Sequence, residues 1–144
     1  MKPLILSPAA QTEPLHMLGH QIFIRLATND TDGTFTLFEQ HSVPGSSVPL
    51  HFHQTECETF HVLAGQVEFT VGETQRSAGP GTTLYVPANT RHALRVVGTD
   101  VARMLIFTAP SGIENMFRKL AALPPNPTPQ QVNAISSQHG IDFV

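Results

Sequence analysis

The strongest constraint on this chain is its cadence. From about residue 19 to residue 107, short apolar-rich runs alternate with turn residues and never lengthen into a helical period. HQIFIRLAT and GTFTLFEQHSV flank NDTDG, whose Asn, Asp and Gly favour a tight reversal. PGSS leads to SVPLHFH. ETFHVLA meets Gly65 and continues as QVEFTV, which reads as a hairpin. Gly79, Pro80 and Gly81 precede TTLYV, PANTR precedes HALRVV, and VARMLIF closes the series. Eight or nine strands at such close spacing predict an all-β sandwich or barrel.

The pattern changes after Phe107. Ser111 and Glu114 stand three apart as in a capping box, and Ile113, Met116, Phe117 and Leu120 follow at helical spacing. Pro124 and Pro125 end that helix. A second short helix begins at Thr128, with Pro129 in its first turn and Gln131 completing another box, and it ends near Gly140. Two such helices are too short for a domain of their own, so their apolar faces should pack on the barrel or on a second subunit. A chain of 144 residues, 40% hydrophobic, is expected to form one domain over 1–144. Its barrel core is expected over about 19–108 and its helical tail over 110–144.

Composition narrows the class of function. Charged residues make up only 13% and the formal net charge is -3, with no basic stripe, so nucleic acid is not an expected partner. No run approaches the ~18 apolar residues of a membrane span, so no membrane association is expected. Leu4, Ile5 and Leu6 are too short a run for a signal-peptide core, and one cysteine cannot form an internal disulfide. A cytoplasmic protein is the expectation.

The stretch HFHQTECETF concentrates groups able to do chemistry. Residues two apart on a strand share a face, so His51 and His53 aim both imidazoles the same way. Alone, such a pair is more often two surface histidines than a chelate. In ETFHVLA, Glu58 shares a face with Phe60, Val62 and Ala64, opposite Thr59, His61 and Leu63. A carboxylate on that apolar face needs a partner to ionise, and a metal ion is one. His53 and Glu58 are an odd number of residues apart, so a turn at Gln54-Thr55-Glu56 must bring them together. Glu56 competes with Glu58 for the role but is read as solvated loop charge. His92, after a Pro-Asn turn, starts a strand whose Leu94 and Val96 would face inward and Arg95 outward; it offers a third imidazole or a structural hydrogen bond.

These residues carry a family resemblance. Gly45, His51, His53, Glu58 and Gly65 match every fixed position and gap of the first cupin motif, G(x)5HxH(x)4E(x)6G. Gly81, Pro87 and His92 match the second, G(x)5PxG(x)2H(x)3N, in which Asn89 replaces a glycine and Val96 the final asparagine. Asn89 is a mild departure, since Asn tolerates the left-handed conformation a turn glycine adopts. About 15 residues separate the two motifs. The chain resembles the cupin superfamily over roughly 35–107, and around ETFHVLAGQVEFTVG it is most similar to small single-domain cupins of the quercetin-dioxygenase-like group.

The resemblance implies a double-stranded β-helix, the jelly-roll or cupin barrel. It also implies that His51, His53, Glu58 and His92 bind one divalent metal ion (Fe, Mn, Ni, Zn or Cu) with open positions for substrate or dioxygen. An acceptor behind each imidazole should orient it. A homodimer is implied too. The expected function is a metal-dependent, dioxygenase-like oxidoreductase acting on a small molecule, with Glu58 doubling as a base. The alternatives are a metal-dependent isomerase or lyase and a non-catalytic small-molecule binder.

Phe38, Gln40, Phe60 and Leu94 are the candidate substrate-pocket residues, and Gln40 could hydrogen-bond a ligand from across the barrel. Met116 and Phe117 are read as core residues that could also cap the barrel mouth. Tyr85 is either a pocket hydroxyl or an outward edge residue. Cys57 lies on the face opposite Glu58 and is read as packing rather than a nucleophile. His61 is outward, and His16, His20, His41 and His139 are read as surface or loop residues.

Overall fold

The computed structural model describes residues 4–8 and 12–144. Eleven strands among the described residues form two antiparallel sheets. They are β1 Leu15–Met17, β2 His20–Leu26, β3 Thr36–Ser42, β4 Ser47–His53, β5 Cys57–Ala64, β6 Gln66–Val71, β7 Thr74–Ala78, β8 Thr83–Val86, β9 His92–Val97, β10 Ala102–Ala109 and β11 Ile141–Phe143. One sheet runs β1-β2-β3-β10-β5-β8 and the other β11-β4-β9-β6-β7. From β3 to β6 and again from β7 to β11 successive strands alternate between the two sheets, whereas β1 to β3 and the β6–β7 hairpin each stay within one sheet; the whole is the double-stranded β-helix that the motifs imply. Short helices α1 Thr28–Thr31, α2 Ile113–Ala121 and α3 Pro129–Gln138 complete it.

Alternation places the core. Along β3, Thr36, Phe38, Gln40 and Ser42 are buried; along β5, Glu58, Phe60 and Val62; along β9, His92, Leu94 and Val96. The intervening residues, including Thr59, His61, Leu63 and Arg95, face outward. The inward apolar residues of both sheets meet across the sandwich, with Phe60 and Phe69 edge to face at 5.2 Å.

Four local expectations are corrected. ETFHVLA and QVEFTV do not form a hairpin: β5 pairs with β10 and β8, whereas β6 pairs with β9 and β7. Gly65 is the crossing point between the sheets. Its φ is +81°, and a Cβ there would lie 2.7 Å from Ala102 Cα and 2.9 Å from Val101 O, so only glycine passes that close to β10. NDTDG is not a simple reversal, because Thr28–Thr31 makes one helical turn closed by Asp32 in the left-handed region. Ser111 does not cap α2; Gly112 occupies that position, and the Glu114 carboxylate accepts from Gly112 N–H while also reaching into the protein to Thr28 and Thr36. The sheets also extend past 19–108, since β1 precedes that span and β11 lies after the helices. β7 is a mostly exposed edge strand with no apolar alternation to betray it.

The second helix is capped as expected, with Thr128 Oγ1 accepting from Gln131 N–H and the Gln131 side chain accepting from Thr128 N–H. The apolar face of α2 closes one end of the sandwich, where Phe117 meets Phe38 edge to face at 4.9 Å. No helix among the described residues is long and apolar enough to cross a membrane.

Candidate metal centre

Three strand ends build the site. β4 contributes His51 and His53, the start of β5 contributes Glu58, and β9 opens with His92. The bend over residues 54–56 reverses the chain so that His53 and Glu58 face one another. Asn89 shapes the other approach: its φ is +61° and its N–H donates to His53 O at 2.7 Å, tying the turn before His92 to the end of β4. Asparagine therefore does fill a left-handed position where the motif has glycine. Val96, in place of the motif asparagine, is a buried core residue whose backbone bonds Ser46 O and Gly45 N–H.

All four side chains are buried, and one ligand atom from each lies within 4.8 Å of all the others. Glu58 Oε1 is 3.0 Å from His92 Nε2 and 3.5 Å from His53 Nε2. The His51 and His92 rings are 4.2 Å apart between centroids.

The hydrogen bonds behind the rings decide what faces inward. His51 Nδ1–H donates to Pro49 O at 2.8 Å and His92 Nδ1–H to Thr90 O at 2.9 Å. A carbonyl oxygen only accepts, so both rings carry their proton on Nδ1 and turn the Nε2 lone pair toward the cluster. His53 has Glu56 behind it, with Nδ1 3.5 Å from Glu56 Oε2. That distance is too long for a hydrogen bond, and both His53 ring nitrogens and Glu56 Oε2 are buried without a partner.

Lone pairs and a carboxylate packed together repel unless a positive charge lies among them. Electrostatics express the same tension. Burial above all, then the neighbouring His92, lowers the His51 pKa to about 4. Burial works to raise the Glu58 pKa, but the close approach of His92 and the other nearby imidazoles outweigh it and hold Glu58 below the usual carboxylate range. For His53, burial acts downward but Glu56 and Glu58 overcome it and raise the pKa. The donor set of three imidazoles and one carboxylate, with orphaned buried nitrogens, fits a divalent transition-metal ion.

The structure corrects the readings of Glu56 and His20. Glu56 is not solvated loop charge: only 8% exposed, it lies behind His53. His20 is not a surface residue but is buried beside Ser42. Both are invisible to strand parity, Glu56 because it sits in a bend and His20 because it opens its strand. Cys57 and His61 are on the outer face, where His61 Nδ1 and Thr83 Oγ1 are 2.7 Å apart. Tyr85 is 59% exposed and points outward.

Beside the cluster is a cavity with His51, His53 and Glu58 in its wall. The structure places Phe38, Gln40, Phe60 and Leu94 in the same wall, and α2 adds Ile113, Met116, Phe117 and Leu120. Met116 and Phe117 are thus both core residues and part of the closure.

This fold and this cluster are those of a cupin. The Cupin domain family matches residues 38–108, and the chain belongs to the cupin superfamily. Among curated proteins it is similar to quercetin 2,3-dioxygenase of Bacillus subtilis (strain 168), at 32% identity over 105 residues, which is 72% of this chain and 31% of that protein. The chain thus spans about a third of the length of that relative. Among solved structures, KdgF from Halomonas sp. aligns with a TM-score of 0.69 at 17% identity, covering 78% of this chain and 99% of that one. A predicted oxalate decarboxylase from Thermotoga maritima aligns with a TM-score of 0.67 at 18% identity, covering 74% and 99%. At such identities these structures speak for the fold alone.

Proposed function

We propose that the chain is a metal-dependent, dioxygenase-like enzyme acting on a small molecule, with His51, His53, Glu58 and His92 as the ligands of one divalent ion. The observation that carries the reading is the convergence of these four buried groups within 4.8 Å, two of the rings being locked with Nε2 inward. The similarity to quercetin 2,3-dioxygenase favours dioxygenase-like chemistry over other metal-dependent reactions. When bound, such an ion supplies Lewis acidity and an electron path between substrate and dioxygen.

The protein's own contribution follows from its residues. Glu58, held ionised at neutral pH, accepts a proton at a carboxylate oxygen from an acidic substrate hydroxyl. Phe38, Phe60, Leu94 and Phe117 exclude water from that transfer and offer apolar surface to the body of the substrate. Pro49 O and Thr90 O keep two imidazoles in the ligand tautomer throughout. A homodimer, tested by light scattering of the purified protein, and a cytoplasmic setting belong to the same reading.

The test begins with elemental analysis of protein purified without a metal-chelating tag. About one equivalent of a transition metal is expected, lost in His51→Ala. Protein without stoichiometric metal, or a variant that keeps it, sinks the reading. Oxygen uptake with quercetin as first substrate then tests the reaction. Turnover of a small molecule with no oxygen consumed would move the assignment to a metal-dependent isomerase or lyase.

A further inference from the structure

Away from the metal cluster, the cavity wall carries a polar chain with a fixed direction. His20 Nε2 is 3.2 Å from Ser47 O. His20 Nδ1 is 2.7 Å from Ser42 Oγ, and Ser42 Oγ is 3.1 Å from the Gln40 side-chain nitrogen. His20, Gln40 and Ser42 are all less than 9% exposed.

Donor and acceptor rules leave one consistent arrangement. Ser47 O is a carbonyl and only accepts, so His20 carries its proton on Nε2. Burial lowers the His20 pKa and favours the neutral ring, so Nδ1 is an acceptor. The single hydroxyl proton of Ser42 must then go to Nδ1. Ser42 Oγ is left with lone pairs only, so the Gln40 group facing it must be the NH2. The amide nitrogen also lies 3.4 Å from His20 Nδ1, a second acceptor on the same side. The orientation of the Gln40 amide is therefore dictated from Ser47, three groups away. Its Oε1 has no partner among the described residues, and Gln40 lines the cavity.

We propose that Gln40 Oε1 is the specificity-determining acceptor of this cavity, selecting small molecules that carry a hydroxyl or N–H donor on an otherwise apolar ring-sized body. The proposal rests on the cavity being the substrate pocket, as in the proposed function. Ile22, Phe38, Ile106 and Leu94 share the wall with Gln40, and the other side-chain carboxyl or amide acceptor in it, Glu58, belongs to the metal cluster. A ligand offering only an ether or carbonyl oxygen at that point meets a lone pair it cannot satisfy. Ser42 and His20 are positioning residues, since they act only by holding the amide in one orientation.

The test uses matched pairs, phenol with anisole and 2-naphthol with 2-methoxynaphthalene, titrated into metal-loaded protein by calorimetry and amide chemical shifts. The hydroxyl member of each pair should bind about tenfold more tightly, as one buried neutral hydrogen bond predicts. Gln40→Leu, close in size and apolar, should reduce that preference to less than about twofold while both ligands still bind. Ser42→Ala, which leaves only the longer contact with His20 to orient the amide, should narrow the preference by raising affinity for the ether. A purely structural role for Gln40 would weaken both members of a pair together. Equal binding of both members to the native protein, an undiminished preference in Gln40→Leu, or binding of neither ligand overturns the proposal. Repeating the titration on chelator-treated protein separates the two readings. A preference that persists without metal and depends on Gln40 upholds the proposal whatever the metal analysis shows, and one that vanishes with the metal overturns it.

Discussion

Two buried carboxylates in this molecule meet opposite fates. Glu114 is 1% exposed, and its oxygens accept from Thr28 N–H at 2.8 Å, Thr28 Oγ1–H at 2.5 Å, Thr36 Oγ1–H at 2.8 Å and Gly112 N–H at 3.1 Å. Every partner is a neutral donor that does not titrate in water's working range, and together they satisfy the carboxylate. The network ties α1, β3 and the start of α2 together, fixing the helix that closes the cavity. Glu58 is 6% exposed but is surrounded by imidazoles whose inward nitrogens are themselves acceptors or lack partners. Burial of an acid is therefore not in itself a sign of function. What separates the two sites is whether the neighbours close the hydrogen-bonding account internally or leave it to be completed by a cation.

The sharpest break of this comparison is to neutralise each acid. Glu58→Gln is expected to abolish stoichiometric metal binding, read by elemental analysis, and to cost the chelator-treated protein only the part of its stability that the ionised carboxylate gains from the imidazoles. Glu114→Ala is expected to do the reverse. It strands several buried donors, so unfolding should become easier by about 3 kcal/mol, or roughly 10 °C in melting temperature. The folded fraction should keep its metal. If Glu114→Ala emptied the site, or Glu58→Gln collapsed the fold without affecting metal content, the division between the two carboxylates would be wrong.

A smaller effect probes the boundary of the metal cluster. Glu56 is not among the four converging groups, yet it faces His53 Nδ1 at 3.5 Å. Removing its charge in Glu56→Gln should weaken metal binding about 10- to 100-fold without abolishing it, measured by competition with a chelating dye. Unchanged affinity would return Glu56 to the status of a loop charge.

The two acids also differ in how far they could be read from the sequence. Glu58 was legible because its site is written in short-range rules: parity puts His51 with His53 and Glu58 with Phe60, and the spacing matches a known motif. Glu114 reads in the sequence as half of a local capping box because Ser111 stands three residues before it. Its real partners Thr28 and Thr36 lie 86 and 78 residues away, and no local pattern reports contacts of that range. His20 and the Gly65 crossing escape local pattern for the same reason. Alternation tells which face of a strand is buried, but not which sheet the strand joins or what faces it across the core. Short edge strands such as β1 and β11 leave no mark in the sequence because three residues carry no period at all.

The smallest expected effect is on pH dependence, and it distinguishes the two carboxylate sites by window as well as by size. In the chelator-treated protein, His51 has a pKa lowered to about 4 from the ordinary histidine value of 6.5. Between those pH values the unfolded chain takes up a proton on this residue and the folded chain does not. Stability should therefore rise with pH across that window and fall as the solution is acidified through it. Glu58 and Glu114, both held below the carboxylate norm, act with the same sign but lower down. Their contribution is present above the unfolded pKa of 4.5 and is lost as pH falls through the folded value. His53, whose pKa is raised, opposes the trend: its contribution is complete below 6.5 and disappears as pH climbs through the folded value. Denaturant titrations of chelator-treated protein from pH 7 to pH 5 should accordingly show declining stability, with a shallower slope in His51→Asn. Glu114→Gln should leave that slope alone and change the curve only below about pH 4.5. Bound metal competes with protons for the same Nε2 lone pairs, so loaded protein should hold its stability to lower pH before the ion is released. A slope from pH 7 to pH 5 that followed Glu114 instead of His51 would mean that the satisfied carboxylate, not the imidazole cluster, governs the acid limb.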